Sequence, residues 1–257
     1  MLTKIFQRSK KIKFIKRFFS GPTSTIELTN TIPKKIFLYW NSGIENAPEI
    51  CQECVESWRK KNPEWELTVL DQATANQYVD IESFNFKLPQ AAYSDVLRVA
   101  ILSQEGGVWV DSTLFCIKPL DTWLPQLTMH SGFFAFSRPN PNRVISSWFL
   151  ASSPDNMISQ DLLKRTLKYL HSLDSTPGNY YWFHYLFEFE LLTNKRFKRI
   201  WDSVPKVPAD LAHITQRQYE SERVDKLYLT NDSFVQKLTY KNGMDISFLK
   251  RHLLNNE

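Results

Sequence analysis

The 257-residue chain has few glycines, few cysteines and no long apolar run. With only seven glycines, an adjacent pair of them marks a place where the backbone needs unusual freedom. Three cysteines, an odd number, do not build a framework of paired disulfides. No apolar stretch reaches the roughly 18 residues that a spanning helix needs, so the sequence predicts no membrane-spanning helix.

Acidic side chains are absent from the first twenty residues, which changes the meaning of the net charge of +5. Those residues hold seven Lys and Arg, so the remaining 237 carry 25 basic and 27 acidic groups, a net charge of −2. A mildly acidic body lacks the basic face that neutralises phosphates in nucleic-acid binding. We therefore expect no nucleic-acid partner.

The basic N-terminal segment is amphipathic on a helical wheel. Large apolar side chains lie on one side and basic side chains on the other: Ile12, Ile15, Phe18 and Phe19 against Lys13, Lys16 and Arg17. Such a segment can lie on an anionic membrane surface, and a solvated, unstructured tail is the alternative. We treat residues 1–22 as a tail and linker, and expect residues 1–20 to contact anionic lipid.

Strand-like and helix-like segments alternate after the linker. Short apolar or alternating runs predict strands at 36–40, 65–70, 108–110 and 133–136. Longer periodic runs predict helices at 47–61, 72–79, 89–105, 156–172 and 180–201. This alternation is typical of an α/β domain with a mainly parallel central sheet and flanking helices. Ligands bind such sheets at the carboxyl ends of the strands, which singles out Trp40 and Asp111.

Two charges interrupt the otherwise apolar helix predicted over 89–105. Asp95 and Arg98 are three residues apart and so share one face of the helix. Because buried charges are costly unless they are paired, we expect an ion pair. The spacing alone does not distinguish an ion pair that ties the helix to its neighbour from one that takes part in the function. Gly106 and Gly107 then end the helix and allow backbone or ligand to approach closely.

The segment 91–121 resembles the signature of glycosyltransferase family 32. Ser94-Asp95-x-x-Arg98, the glycine pair, an aromatic strand and an aspartate motif follow one another in that family's order. It is still more similar to the related bacterial capsular polysaccharide synthesis proteins, which carry Asp-Ser/Ala-Thr followed by Lys-Pro-Leu, as in Asp111–Thr113 and Lys118–Leu120. Weaker matches, at 32–36, 181–184 and 236–239, extend the resemblance over roughly residues 30–242.

This resemblance implies a single nucleotide-sugar-binding domain of the GT-A type over 30–242, followed by a helical extension over 243–257. It implies transfer of a hexose from a nucleotide-sugar donor, expected to be UDP-linked, with retention at the anomeric carbon. The implied acceptor is a growing capsular or other surface polysaccharide, lipid-linked or free as an oligosaccharide. The protein would then be peripheral on the cytoplasmic, inner face of the plasma membrane.

The resemblance also implies roles for individual residues. Expected at the reacting centre are Asp95, Arg98 and Asp111. We expect these three residues to bind the donor together with Trp40, Gly107, Thr113 and Lys237. We expect Trp182 and His184 on the acceptor side. Four of these residues have a structural alternative. Trp40 and His184 would lie in the core, Lys237 on the surface, and Asp111 in a turn or at a helix cap.

Thr113 stands where family 32 carries a second aspartate, and a neutral hydroxyl is a poorer ligand for a hard cation. Asp111 could bind Mn²⁺ or Mg²⁺ weakly together with the donor phosphates. Alternatively, Lys237 could neutralise the leaving diphosphate directly. The missing carboxylate also leaves open a protein that binds nucleotide sugars or polysaccharide without turnover, or one that acts only as a scaffold of a synthesis complex.

Overall fold

The computed structural model describes residues 30–220, 233–241 and 244. The predicted tail over 1–22 lies outside the described residues, as does the predicted helical extension over 243–257 apart from Met244. Within the described ranges, no helix is both long and apolar enough to cross a bilayer.

Strands and helices alternate along most of the described chain. The strands are β1 (Lys35–Tyr39), β2 (Glu66–Leu70), β3 (Gly107–Val110), β4 (Leu114–Cys116), β5 (Phe133–Asn140), β6 (Arg143–Ser152) and β7 (Val235–Lys237). The α-helices are α1 (Glu49–Lys61), α2 (Gln72–Ala75), α3 (Gln90–Gln104), α4 (Leu124–Thr128), α5 (Met157–His171), α6 (Trp182–Thr193), α7 (Lys195–Ser203) and α8 (Ile214–Glu220). Short 3₁₀ turns lie at Ile44–Asn46, Ile81–Ser83, Leu120–Thr122 and Leu211–His213.

The main sheet has five strands in the order β2-β1-β3-β6-β5. β1 pairs in parallel with both β2 and β3, whereas β6 is antiparallel to its neighbours β3 and β5. Four of these five strands therefore run in one direction. The predicted class, an α/β domain with a mainly parallel sheet and flanking helices, is confirmed, and it is consistent with the GT-A type.

Helix α3 lies in the core because it is apolar on nearly every side. Val96, Leu97, Ile101 and Leu102 are fully buried, and the helix packs against α5, β3 and β6. A helix without a polar face has to be covered on all sides. Its two charged residues, Asp95 and Arg98, are consequently held at a fixed place beside the sheet.

A second, two-stranded sheet brings the C-terminal part of the described chain to the same region. β4 follows β3 almost directly, and β7 pairs with it in antiparallel register, with Leu114 opposite Lys237. Trp58 of α1 fixes β4 from the other side by donating its indole N–H to the carbonyl of Leu114 at 2.7 Å. This pairing decides where Lys237 lies.

Two helix predictions were wrong in extent and one strand was not predicted. The helix predicted over 72–79 ends at Ala75. The single helix predicted over 180–201 is two helices, α6 and α7, with Asn194 between them. The Asn194 side chain caps α7 by accepting from the backbone N–H groups of Arg196 and Phe197, each at 3.1 Å. Strand β6 was not predicted, although it joins β5 to the parallel half of the sheet.

Asn194→Ala should therefore destabilise the protein. It removes the cap of α7 and also the amide hydrogen bonds to Asp161 at 2.7 Å and Glu190 at 3.1 Å. We expect a loss of about 1–2 kcal/mol in the free energy of unfolding, measured by urea denaturation. Thr193→Ala, at the neighbouring exposed end of α6, is the control, and an equal loss in both variants would contradict the assignment of the cap.

Candidate active site

The candidate residues predicted at strand ends meet at one edge of the main sheet. Phe37 is paired with Trp109, so the parallel register sets Asp111, after β3, level with Tyr39, the last residue of β1. Trp40 follows directly. The antiparallel strand β6 passes the same edge, where the Asp111 N–H donates to the carbonyl of Trp148 at 2.9 Å.

Asp111 is the centre of the site because its carboxylate lies between two cations. Its Oδ1 accepts from Arg98 Nη2 at 3.3 Å and from Trp109 Nε1 at 3.2 Å. Its Oδ2 lies 3.5 Å from Lys237 Nζ. Its side chain is 27% exposed, more than that of Asp95, Arg98 or Lys237, so Asp111 is the most solvent-accessible member of the cluster.

Arg98 is fixed by contacts from three directions. Its Nη1 lies 2.9 Å from Asp95 Oδ1, which is the ion pair that the spacing predicted, and donates to the carbonyl of Ser147 at 2.9 Å. Ser94 accepts from Nη2 at 3.0 Å and from Nε at 3.2 Å. The guanidinium also lies 5.5 Å from the ring centre of Trp109. The arginine is therefore a preorganised cation with one edge turned to Asp111.

Lys237 supplies the second cation. Its ammonium donates a short hydrogen bond to the Thr113 hydroxyl, in addition to its approach to Asp111. The lysine thus faces Asp111 and Thr113, the first and last residues of the aspartate motif. Only 17% of its side chain is exposed, so the predicted alternative of a surface lysine does not describe it.

The residues around Asp111 do not fit a divalent metal in this arrangement. Both carboxylate oxygens face cations, and the Thr113 hydroxyl is already an acceptor for Lys237. In residues 30–220, 233–241 and 244, no group of three or more His, Cys, Asp and Glu side chains is placed to hold a metal ion. A hard cation needs several oxygen ligands, so this donor set favours an ammonium.

The two carboxylates that face Arg98 differ in proton affinity. Burial raises the pKa of Asp95 to about 7, against the opposing charge of Arg98. Burial alone would also raise the pKa of Asp111, but Arg98, Lys237 and the Trp109 hydrogen bond outweigh it and hold that pKa below its usual range. Asp111 is therefore ionised at neutral pH, whereas the pKa of Asp95 lies close to neutral pH.

Trp40 lies half-buried at the carboxyl end of β1. Its ring makes an edge contact with Tyr240, with ring centres 5.6 Å apart, and one side packs on a small apolar cluster around Cys51 and Leu238. Tyr240 is 43% exposed, so the two aromatic side chains form a partly open apolar corner. Tyr240 was not predicted as a site residue, and its only signal is its position three residues after Lys237.

Two candidates stand apart from the Asp111 cluster, and a third, His184, lies within electrostatic reach of Arg98 and Asp111. Gly107 begins β3, about 13 Å along the strand from Asp111, and a Cβ there would lie 2.7 Å from the carbonyl oxygen of Lys35. The close approach of β1 explains why this residue is glycine. It gives no support to the predicted contact of Gly107 with the donor. Trp182 is 4% exposed and stacks on Tyr169, so it is a core residue. His184 is only 8% exposed, although it belongs to the helix that borders Arg98.

Comparison with known proteins assigns the chain to a family. The sequence model of a family described as "Capsular polysaccharide synthesis protein" matches residues 6–252. The chain belongs to this family.

Curated relatives are more distant. The chain is 25% identical over 176 residues to "O-glycosyltransferase braB" of Annulohypoxylon truncatum, covering 60% of this chain and 41% of that protein. It is 25% identical over 162 residues to "Inositol phosphoceramide mannosyltransferase 1" of Schizosaccharomyces pombe, covering 59% of this chain and 48% of that protein. The chain thus spans less than half the length of these relatives. A solved structure, "PaToxG Glycosyltransferase", aligns with a TM-score of 0.46 and 15% identity over 79% of this chain and 84% of that one, a likeness too low to carry an argument.

Several residues of this family member line the site without having been predicted. Ser147 belongs to β6, a strand that was not predicted, and its carbonyl accepts from Arg98; Tyr180, before α6, is within electrostatic reach of Asp95 and Asp111. Ser94 was part of the recognised signature without an assigned role, and Trp109 stood in its aromatic strand, where nothing in the sequence distinguished it from a core residue. Contact with Arg98 and Asp111 is what identifies them.

His184 should make stability depend on pH. Burial, followed by the charges of Arg98 and Arg143, lowers the pKa of His184 to about 4. In the unfolded chain the histidine binds its proton near pH 6.5, so the unfolded state gains protons first as the pH falls. The contribution of neutral His184 to stability is present above pH 6.5 and is lost progressively down to about pH 4.

We expect wild type to lose up to about 3 kcal/mol more than His184→Gln between pH 6.5 and pH 4, measured as the free energy of unfolding. The difference between the two proteins isolates the histidine from the carboxylates that titrate in the same range. His130→Gln, which replaces an exposed histidine, is the control and should follow wild type. Parallel pH profiles for all three proteins would contradict the lowered pKa.

Proposed function

We propose that the protein is a glycosyltransferase that moves a sugar from a nucleotide-sugar donor to a capsular or related surface polysaccharide. One observation carries the proposal: in a member of the capsular polysaccharide synthesis family, Asp111 lies at the carboxyl end of β3 between Arg98 and Lys237. Curated relatives named as glycosyltransferases support it. A hexose as the sugar, and retention at the anomeric carbon, rest on the resemblance to family 32.

The donor, expected to be UDP-linked, would use the carboxyl edge of the sheet. The corner between Trp40 and Tyr240 offers ring faces and edges to the base. Asp95 offers an acceptor to sugar hydroxyls. Arg98, whose five N–H groups all have protein partners, would offer a donor there by exchanging its 3.3 Å contact with Asp111. The diphosphate would then approach Asp111 and Lys237.

Arg98 and Lys237, rather than a divalent metal, are proposed to neutralise the leaving diphosphate. The four side chains Asp95, Arg98, Asp111 and Lys237 carry a net charge of +1 when Asp95 is protonated and zero when it is ionised. A cluster of this kind can accept an anion, because phosphate oxygens replace Asp111 as partners of the lysine. Preorganised cations aimed at developing negative charge stabilise a transition state strongly.

The acceptor is proposed to be lipid-linked or an oligosaccharide, and the protein to be peripheral on the inner face of the plasma membrane. The support is the family and the basic, amphipathic composition of residues 1–20.

A panel of nucleotide sugars tests the activity and its metal requirement together. Purified protein is incubated with each donor in Mn²⁺, in Mg²⁺ or in EDTA, and release of the nucleoside diphosphate is followed. We expect release from one donor, with a rate in EDTA within about twofold of the rate in Mn²⁺, since the cations belong to the protein. Release that stops in EDTA would contradict the proposed role of Lys237.

Lys237→Gln should lower the release rate by about 10²–10³-fold, because it removes one preorganised positive charge from the leaving group. Lys237→Arg restores the charge with a different shape and should recover part of the rate. Lys241→Gln, an exposed lysine four residues on, is the matched control and should leave the rate unchanged. Equal rates in Lys237→Gln and wild type would contradict the assignment.

The alternative is a protein that binds nucleotide sugar or polysaccharide without turnover, or a scaffold. Thr113 in place of a second carboxylate favours it. Asp111→Asn separates the hypotheses, because an enzyme should lose most of its turnover while remaining folded. Wild-type protein that binds a donor but releases nothing in the presence of acceptor extracts would favour the binding protein.

A further inference from the structure

Helix α6 exposes a continuous apolar stripe. Tyr181, Tyr185, Phe189 and Leu192 recur at helical spacing on one side, with 36%, 44%, 45% and 87% of their surfaces exposed. The opposite side is buried, where Phe187 contacts Phe197 and Trp201 of α7. An apolar stripe on the outside of a folded domain is typical of a contact surface.

Positive charge surrounds this stripe. The guanidinium of Arg143 lies 4.2 Å from the ring centre of Tyr181, and that of Arg165 lies 4.4 Å from the ring centre of Phe189. The neighbouring helices α5 and α7 carry seven Lys and Arg against two Asp: Lys164, Arg165, Lys168, Lys195, Arg196, Lys198 and Arg199 against Asp161 and Asp202. Helix α6 adds Glu188, and Glu190, which is buried against Arg165. The surroundings of the stripe therefore favour an anionic partner.

We propose that the α6 stripe docks on the surface of an anionic lipid bilayer. Apolar side chains on one side of a helix with basic groups alongside are what an interfacial helix requires. Tyrosine rings suit the boundary between headgroups and acyl chains, and leucine and phenylalanine suit the acyl side of it.

A polysaccharide chain fits the surface less well. Leu192, the most exposed member, has no polar group to offer a sugar hydroxyl, and Phe189 has none either. A second copy of the chain fits less well too, because two copies would bring the basic residues of α5 and α7 towards each other. The bilayer satisfies both the apolar side chains and the charge.

Docking on this stripe would place the candidate site at the membrane surface. Phe183, on the buried side of α6, has its ring centre 5.9 Å from the Arg98 guanidinium, and Tyr180 precedes the stripe with 74% of its surface exposed. The ring centre of Tyr180 lies 5.2 Å from that of Tyr181. The inference adds a second contact to the one proposed for residues 1–20. It also deepens the proposed function, on which its link to a lipid-linked acceptor rests.

The test uses the full chain with a polarity-sensitive nitrobenzoxadiazole label at Leu192→Cys. The three native cysteines are buried, so the label reacts at the new position. Met129→Cys, whose side chain is 57% exposed outside the three helices, is the matched control. Each protein is mixed with vesicles of phosphatidylglycerol and phosphatidylcholine, and co-sedimentation is measured beside the emission. No nucleotide sugar is present, so failure here is distinguishable from failure of the proposed activity.

We expect the emission of the label at 192 to move to shorter wavelength on these vesicles while that at 129 does not. We also expect the doubly substituted Phe189→Ser, Leu192→Ser chain to bind them about tenfold more weakly, with unchanged circular dichroism. Met129→Ser with Leu211→Ser should change binding less than about twofold.

Four outcomes would overturn the proposal. The protein could fail to co-sediment, or it could co-sediment with unchanged emission at 192, which would mean that the stripe is not in contact with lipid. An emission shift without vesicles that grows with protein concentration would identify a second copy as the partner. A shift on soluble anionic polysaccharide but not on vesicles would identify a sugar chain.

Discussion

The ionic contact of Asp111 with Arg98 and Lys237 is the constraint on which the rest of the site depends. A carboxylate in this setting is tolerated only because cations compensate for its lost hydration. Each cation comes from a different part of the fold, Arg98 from the buried helix α3 and Lys237 from β7. Removing one of the two cations leaves Asp111 with a single charged partner and so weakens the compensation of its charge. Folding and the proposed chemistry therefore use the same contacts.

The site features that the sequence alone could predict are those that local geometry determines. Asp95 and Arg98 are neighbours because three residues make almost one helical turn, so their ion pair needs no knowledge of the remaining chain. Asp111 was found because an apolar strand ends just before it. Lys237 is different: its contact with Thr113 spans 124 positions of sequence and depends on the pairing of β7 with β4. Only the resemblance to a family indicated it.

The errors have physical causes as well. The aromatic-rich composition of 180–201 favours one helix, but the Asn194 amide offers the backbone a cap that ends one helix and starts another. A local strand signal for β6 is present, because Val144, Ile145 and Phe149 follow the turn residues at 139–142, and pairing with β3 and β5 completes the strand. Missing β6 also meant missing Ser147, whose carbonyl accepts from Arg98.

The distribution of charge links the site to the proposed membrane contact. The tail carries seven basic groups and the body is mildly acidic, yet the structure gathers positive charge at the Asp111 cluster and around α6. Helix α6 borders both, since Phe183 lies 5.9 Å from the Arg98 guanidinium and Tyr181 packs under Arg143. One helix would thus orient the protein on lipid and hold the cation that faces the donor.

The most direct test of the central claim is a crystal structure of the protein with Mn²⁺ and the nucleoside diphosphate of its donor, measured at the manganese absorption edge. The account predicts a terminal phosphate within hydrogen-bonding distance of Lys237 Nζ and no anomalous peak at coordinating distance from Asp111. An anomalous peak bridging Asp111 and the phosphates, with Lys237 displaced, would contradict it.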